Sequence, residues 1–204
     1  LSLHDAFRLE KEVLSREELV PLFDPAEIHS GNAKFDMHKC QWFNAQYLRA
    51  LSPEALFAAA RSFILAKGYT ITDEAAATAA IFSVKEKVSL LSEIPAWVHY
   101  FFREDYPFEA DVTEKLKSKA ENATLLRAAA TAFTTLIEWT EASVQSGVEE
   151  AAKANSVKPG ALMPLLRAAL SGQSRGPGVT TIAHLVGKDS TLRRIERTLA
   201  EELS

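Results

Sequence analysis

The residues whose types and spacing suit chemistry lie in one run near the end of the sequence, MPLLRAALSGQSRGPGVTTIAHLVGKDSTLRRIERTL at 163–199. Leu162, Leu165, Leu166 and Leu170 are spaced for one face of a helix and leave Arg167 toward its side. The loop Gly172-Gln173-Ser174-Arg175-Gly176-Pro177-Gly178 then offers backbone amides, one arginine and the start of the next helix. A helix start accepts phosphate, and unpaired RNA bases are held by side-chain planes and exposed backbone groups. The competing reading is a plain helix connection, which Gly-Pro-Gly also makes.

Other chemistries find little support. The five histidines, His4, His29, His38, His99 and His184, are scattered without a His-x-x-x-His pair, so no metal site is expected. His38 and Cys40 sit two apart on a predicted helix and point about 200° away from each other. Cys40 lies beside Trp42 and Phe43, where a thiol is expected to be an inert core residue. There is no Gly-x-Gly-x-x-Gly and no Walker loop, so no nucleotide site is predicted. The pairs Glu104-Asp105 and Glu149-Glu150 read as solvated acidic surface. No catalytic residue is predicted.

Charge adds a regional hint. The chain has 204 residues with 23 Lys+Arg against 27 Asp+Glu, a net −4 that argues against indiscriminate nucleic-acid binding. From 157 onward, however, seven basic residues face four acidic ones, a local +3 that leaves −7 for the remainder. Oppositely charged halves hint at a polyanion-facing end, although surplus arginines on solvated helix faces give the same count. A single cysteine fits a reducing, cytoplasmic setting, and no stretch is long and apolar enough to span a bilayer. No membrane partner is expected. The start, Leu1-Ser2-Leu3-His4-Asp5, is no signal peptide, and its lack of Met suggests a piece of something longer.

The elements that must position the loop read as helices throughout. Ser15-Arg16-Glu17-Glu18 has capping-box spacing, and Ser52-Pro53-Glu54 pairs an N-cap with Pro at the first helical position. Leu126, Ala129, Phe133 and Leu136 form one amphipathic stripe, and Leu192, Ile195, Leu199 and Leu203 another. Helices are predicted near 2–12, 16–22, 37–50, 53–67, 73–91, 95–102, 111–120, 123–138, 141–155, 160–171, 178–186 and 190–203. The segment Arg103-Glu104-Asp105-Tyr106-Pro107-Phe108 breaks the rhythm, because Pro107 pushes Tyr106 out of helical geometry. The fold class is therefore all-α with no significant β-sheet. It divides into a connector with the first helices (1–33), a first helical subdomain (34–108) and a second (109–204).

The 163–199 run resembles the C-terminal anticodon-binding region of bacterial glutamyl-tRNA synthetase, a class I aminoacyl-tRNA synthetase. KFDMHKCQWFNAQYLRALSPE at 34–54 and LSEIPAWVHYFFREDYPFE at 91–109 are similar to the same family, in the same order. The resemblance implies two anticodon-binding helical bundles from a glutamate-tRNA ligase, which attaches glutamate to tRNA(Glu) in an ATP-dependent two-step reaction. In the family, glutamate activation belongs to an N-terminal Rossmann domain with HIGH-type and KMSKS-type motifs, which this sequence lacks. The piece alone is therefore expected to be inactive and to hold no cofactor, with ATP and Mg in the absent catalytic domain. Its implied partners are the tRNA(Glu) anticodon stem-loop and its own N-terminal catalytic domain, and a monomer is expected.

Position by position, Lys87 falls where the family reads the third anticodon base, commonly with arginine; lysine offers a point charge instead of a bidentate fork. The competing reading is a solvent-facing lysine beside a turn. Arg167 matches the arginine of the family's LRAAL helix, and Gly176, Pro177 and Val179 match the loop packed against the first anticodon bases. Val179-Thr180-Thr181 stands where the family often has Leu-Phe-Glu, implying a smaller apolar contact. Arg175 joins the site on its exposed loop position alone. Trp42, Asn44 and Tyr47 share the resemblance and read as architecture. A helical protein-interaction module of the same fold, without tRNA selection, is the alternative function.

Overall fold

The computed structural model describes residues 12–27 and 35–203. The helix predicted at 2–12 falls outside these but for its last residue, a bend at Glu12. Among the described residues there are eleven α-helices and no strand, so the fold is all-α as the periodicity predicts. In chain order they are α1 (Arg16–Leu19), α2 (Met37–Ala50), α3 (Pro53–Ala66), α4 (Glu74–Phe82), α5 (Ile94–Val98), α6 (Ala110–Lys117), α7 (Glu121–Thr135), α8 (Glu141–Ala154), α9 (Pro159–Ser171), α10 (Val179–Val186) and α11 (Lys188–Glu201). None of them is long and apolar enough to cross a membrane.

Local chemistry sets the helix starts. Ser15 and Glu18 close a reciprocal capping box on α1, Glu18 N donating to Ser15 Oγ at 3.2 Å and Ser15 N to Glu18 Oε2 at 2.7 Å. Ser52 caps α3 with Pro53 in its first position, while Asp36 and Asp73 cap α2 and α4.

The side chains bury into two apolar clusters. One gathers Leu48, Leu56, Ile64, Ile81 and Val98 from α2 to α5. The other gathers Leu126, Phe133, Leu166 and Ile195 from the helices α6 to α11 with Tyr100 and Tyr106 from the connector before them, and Phe101 packs against both. In the second cluster α7 lies along α8, and α9 runs between α8 and α11.

The predicted helix at 73–91 is shorter than its pattern suggests. It ends at Phe82 and continues as 3-10 turns at Lys85–Lys87 and Leu91–Glu93. Distant side chains compete for its backbone. Asn44 Nδ2 donates to Ser89 O, Arg49 Nη2 to Glu86 O at 3.4 Å, and the Glu93 carboxylate accepts from Ser89 N at 2.8 Å. The helix predicted at 123–138 likewise stops at Thr135, where Lys188 Nζ bonds the carbonyls of Thr134 and Leu136 at 2.9 and 2.7 Å.

Cys40 was expected in the core and is exposed. Helix α2 buries only Ala45 and Leu48, and at about 100° per residue Cys40 is turned well away from that face. Tyr47 and Asn44 do tie segments together, Tyr47 Oη donating to Leu14 O at 2.6 Å and Asn44 to Ser89 O. Trp42 is 43% exposed and meets Phe43 edge-on.

Candidate nucleic-acid interface

The loop between α9 and α10 is held from below by buried groups. Gly172 ends α9 in the left-handed region at φ 68°, which glycine alone adopts without strain. A Cβ there would also run into Pro107 O. Gly172 O accepts from Glu109 N at 2.8 Å, and the buried Gln173 donates its Nε2 to Ala96 O at 2.9 Å. Loop and preceding connector are thus stitched together.

Arg167 rises from α9 under the same loop and donates Nη1 to Pro177 O at 2.6 Å. A Cβ on Gly176, whose φ is 144°, would lie 3.1 Å from that Nη1 and 3.3 Å from Tyr100 Oη. The backbone therefore passes directly over a guanidinium and a phenol. Burial pushes the Arg167 pKa down and the Tyr100 pKa up; the guanidinium keeps its charge in both settings.

The structure thus brings Arg167, Gly176 and Pro177 together, with Pro177 buried. Val179 opens α10 and is 4% exposed in the core. Arg175 points elsewhere: it is exposed, its guanidinium carbon 4.9 Å from the centroid of the half-buried Trp97 ring. That is a cation–π stack which leaves the cation's other side open. Lys87 lies apart from the loop, exposed at the end of the Lys85–Lys87 turn, and among the described residues no hydrogen bond or ion pair engages its side chain.

Two sequence readings change here. The start of α10, read as open to phosphate, already faces a carboxylate: Thr181 and Thr180 hydroxyls donate to Glu141 Oε2 at 2.8 and 3.3 Å. The basic surplus is also largely turned inward. Arg194 is 3% exposed and donates to Leu170 O and Tyr100 O, each at 2.7 Å, with Glu104 Oε2 at 3.3 Å. Arg197 donates to Glu104 O and to Tyr106 O, and its guanidinium lies over the Tyr106 and Phe108 rings. Of the seven, Lys158, Arg175 and Arg193 remain exposed.

Sequence reasoning missed Trp97, Tyr100 and Gln173 as neighbours of the loop. The first two lie in the 91–109 segment, whose resemblance was the available signal; Gln173 is inside the loop itself. Among the described residues no group of three or more His, Cys, Asp or Glu side chains is placed to hold a metal ion.

Comparison with known proteins places this arrangement. A family described as "Anticodon binding domain" matches residues 45–199. The chain belongs to that family. This anticodon binding domain is similar to the glutamate–tRNA ligase of Thermus thermophilus, 34% identical over 192 residues that cover 93% of this chain and 40% of the relative. The glutamate–tRNA ligase of Akkermansia muciniphila is also 34% identical, over 90% of this chain and 41% of the relative. Among solved structures, a glutamate tRNA ligase from Elizabethkingia meningosepticum superposes with a TM-score of 0.83 at 26% identity, covering 94% of this chain and 38% of that one. The domain thus spans about 40% of the length of the curated relatives it matches.

Proposed function

We propose that the chain is the tRNA-selecting part of a cytoplasmic glutamate–tRNA ligase and binds the anticodon stem-loop of tRNA(Glu). The observation that carries this is the family match over 45–199, which takes in the whole of the 172–178 loop. The exposed Arg175, stacked on Trp97, presents a flat cation to a phosphate or an unstacked base. Arg167 fixes the Gly176-Pro177 backbone that shapes the bases' seat, with Val179 packed beneath. Lys87 supplies a second, separate cation for the third base. ATP, Mg and glutamate belong to the ligase's catalytic part, and no chemical step is assigned to any residue described above.

The test is titration of a tRNA(Glu) anticodon arm, and of arms with each anticodon base replaced, at one salt concentration. The native arm is expected to bind about tenfold or more tightly than the altered ones. Equal binding of all arms overturns the selection role. A second reading has its own support: exposed apolar side chains include Val20, Leu22, Phe23, Phe35, Met37 and Trp42, and apolar surface of this kind suits a protein partner. Here it is assigned to docking on the ligase's own N-terminal catalytic domain. Partner binding without salt-dependent tRNA retention would favour an interaction module instead.

A further inference from the structure

We propose that Trp97 is a positioning residue that aims Arg175 at a backbone phosphate of the bound RNA. The proposal rests on the RNA-binding reading above and names the chemical group that this cation takes.

Arg175 and Trp97 reach each other from different apolar clusters. Arg175 belongs to the α9–α10 loop, whose flanking helices pack in the second cluster. Trp97 belongs to α5, whose Ile94 and Val98 are fully buried in the first, and its own ring packs partly against that cluster. Loop and ring keep their separation, because Gln173 Nε2 holds the carbonyl of Ala96, the residue before Trp97, at 2.9 Å. The guanidinium carbon of Arg175 then lies 4.9 Å from the ring centroid, within reach of a cation–π contact. Among the described residues no hydrogen bond or ion pair engages that guanidinium, so the ring is what orients it.

An exposed arginine otherwise spreads over many rotamers, and collecting them on binding costs affinity. Stacking on Trp97 does this beforehand. It covers one face of the guanidinium and leaves the edge, with its five N–H donors, unspent. Such an edge suits two acceptors side by side that carry negative charge, which is the geometry of phosphate oxygens. A base stacked on the open face would leave those donors without acceptors. Guanine O6 and N7 fit the same fork but bring no charge.

The test uses anticodon arms in which a methylphosphonate removes the charge of one phosphate at each loop linkage in turn, beside arms with each loop base replaced. Wild type should bind about fivefold more weakly when one particular linkage is neutralised, and Arg175→Ala should be indifferent to that linkage. Trp97→Leu keeps apolar bulk without the ring. It should weaken binding of the unmodified arm about threefold, with the salt dependence unchanged because the charge remains. Placed in the Arg175→Ala background, the same change should have no effect, and Trp97→Phe should bind like wild type. Thermal melts establish that each variant folds. Should Trp97→Leu not fold, Arg175→Lys keeps the charge without the flat face and should show the same threefold loss; wild-type binding by it overturns the proposal. An equal loss from Trp97→Leu with and without Arg175 overturns the positioning role, and an Arg175→Ala effect tied to a guanine instead of a linkage overturns the phosphate. Either result leaves the RNA-binding reading standing, whereas no binding of any arm by wild type overturns that reading as well.

Discussion

The α9–α10 loop and the Lys85–Lys87 turn are both short, basic and set between helices, yet they are held in different ways. The loop rests on interior groups: left-handed Gly172, the Gln173 amide on Ala96 O, and Arg167 under Pro177. Just beneath its start, Arg194 ties Leu170 O to Tyr100 O. The turn is fastened from outside, by an Arg49–Glu86 ion pair at 2.9 Å whose side chains are 36% and 59% exposed, and by Lys85 over the Phe82 ring at 4.1 Å. Buried contacts keep one geometry, whereas exposed ones are screened and adjustable. The loop is therefore pre-organised, while the turn follows what it meets.

The comparison breaks most readily at Arg194. Arg194→Ala leaves two buried carbonyls without this donor and the Glu104 carboxylate with Ser190 and Arg193 alone, and about 3 kcal/mol of stability should be lost. Gly172→Ala comes next: the left-handed backbone and the collision with Pro107 O should together cost about 2–3 kcal/mol. Arg49→Ala, the matching change at the turn, should cost less than about 1 kcal/mol. Urea denaturation of the three variants reads the differences directly. A large loss for Arg49→Ala, or a negligible one for Gly172→Ala, would erase the distinction between loop and turn.

That contrast was only half legible in the sequence. Apolar periodicity located α7 and α11, and Leu126, Ala129, Phe133 and Ile195 are all buried, because a helix's own spacing dictates which of its faces turns inward. The address of the loop was legible too, since Gly and Pro punctuate locally. What hold the loop are tertiary partners. Arg194 reads as a solvated arginine until Tyr100 O and Leu170 O are brought to it. Trp97 carries no signal of its own in the sequence until Arg175 folds over it. The premature end of α4 has the same origin, as Asn44 and Arg49 arrive from another helix to take carbonyls that local propensity gives to a longer one.

Binding sharpens the contrast on a smaller scale. Arg175→Ala should weaken binding of the anticodon arm by about 1 kcal/mol and make the salt dependence shallower by about one phosphate contact, since the exposed cation is lost and the loop's buried supports are not. The folded stability should barely change, because the stack on Trp97 is a surface cation–π contact. Titration at several salt concentrations, alongside a melt, separates the two effects. A drop in stability without a change in salt slope would make Arg175 a structural residue.

The smallest effect expected is a pH dependence set where the two apolar clusters meet. His99 packs edge-on against Tyr100 and Tyr106, and burial lowers its pKa below 6.5 despite the hydrogen bond between Nδ1 and Ala96 O. The folded protein therefore holds fewer protons on this ring than the unfolded chain does as pH falls below about 6.5, so stability declines over that range until the folded pKa is passed. Glu104 contributes in a lower window. Burial opposes its ionisation, but hydrogen bonds from Ser190 and Arg194 outweigh it and hold the carboxyl below 4.5. Its contribution is present above that value and fades only in more acidic solution. Stability measured from pH 8 to pH 3 should then fall in two stages. His99→Gln should flatten the upper stage, and Arg194→Ala should shrink the lower one. If both variants keep the wild-type profile, neither the buried ring nor the arginine beneath the loop sets the protein's response to acid.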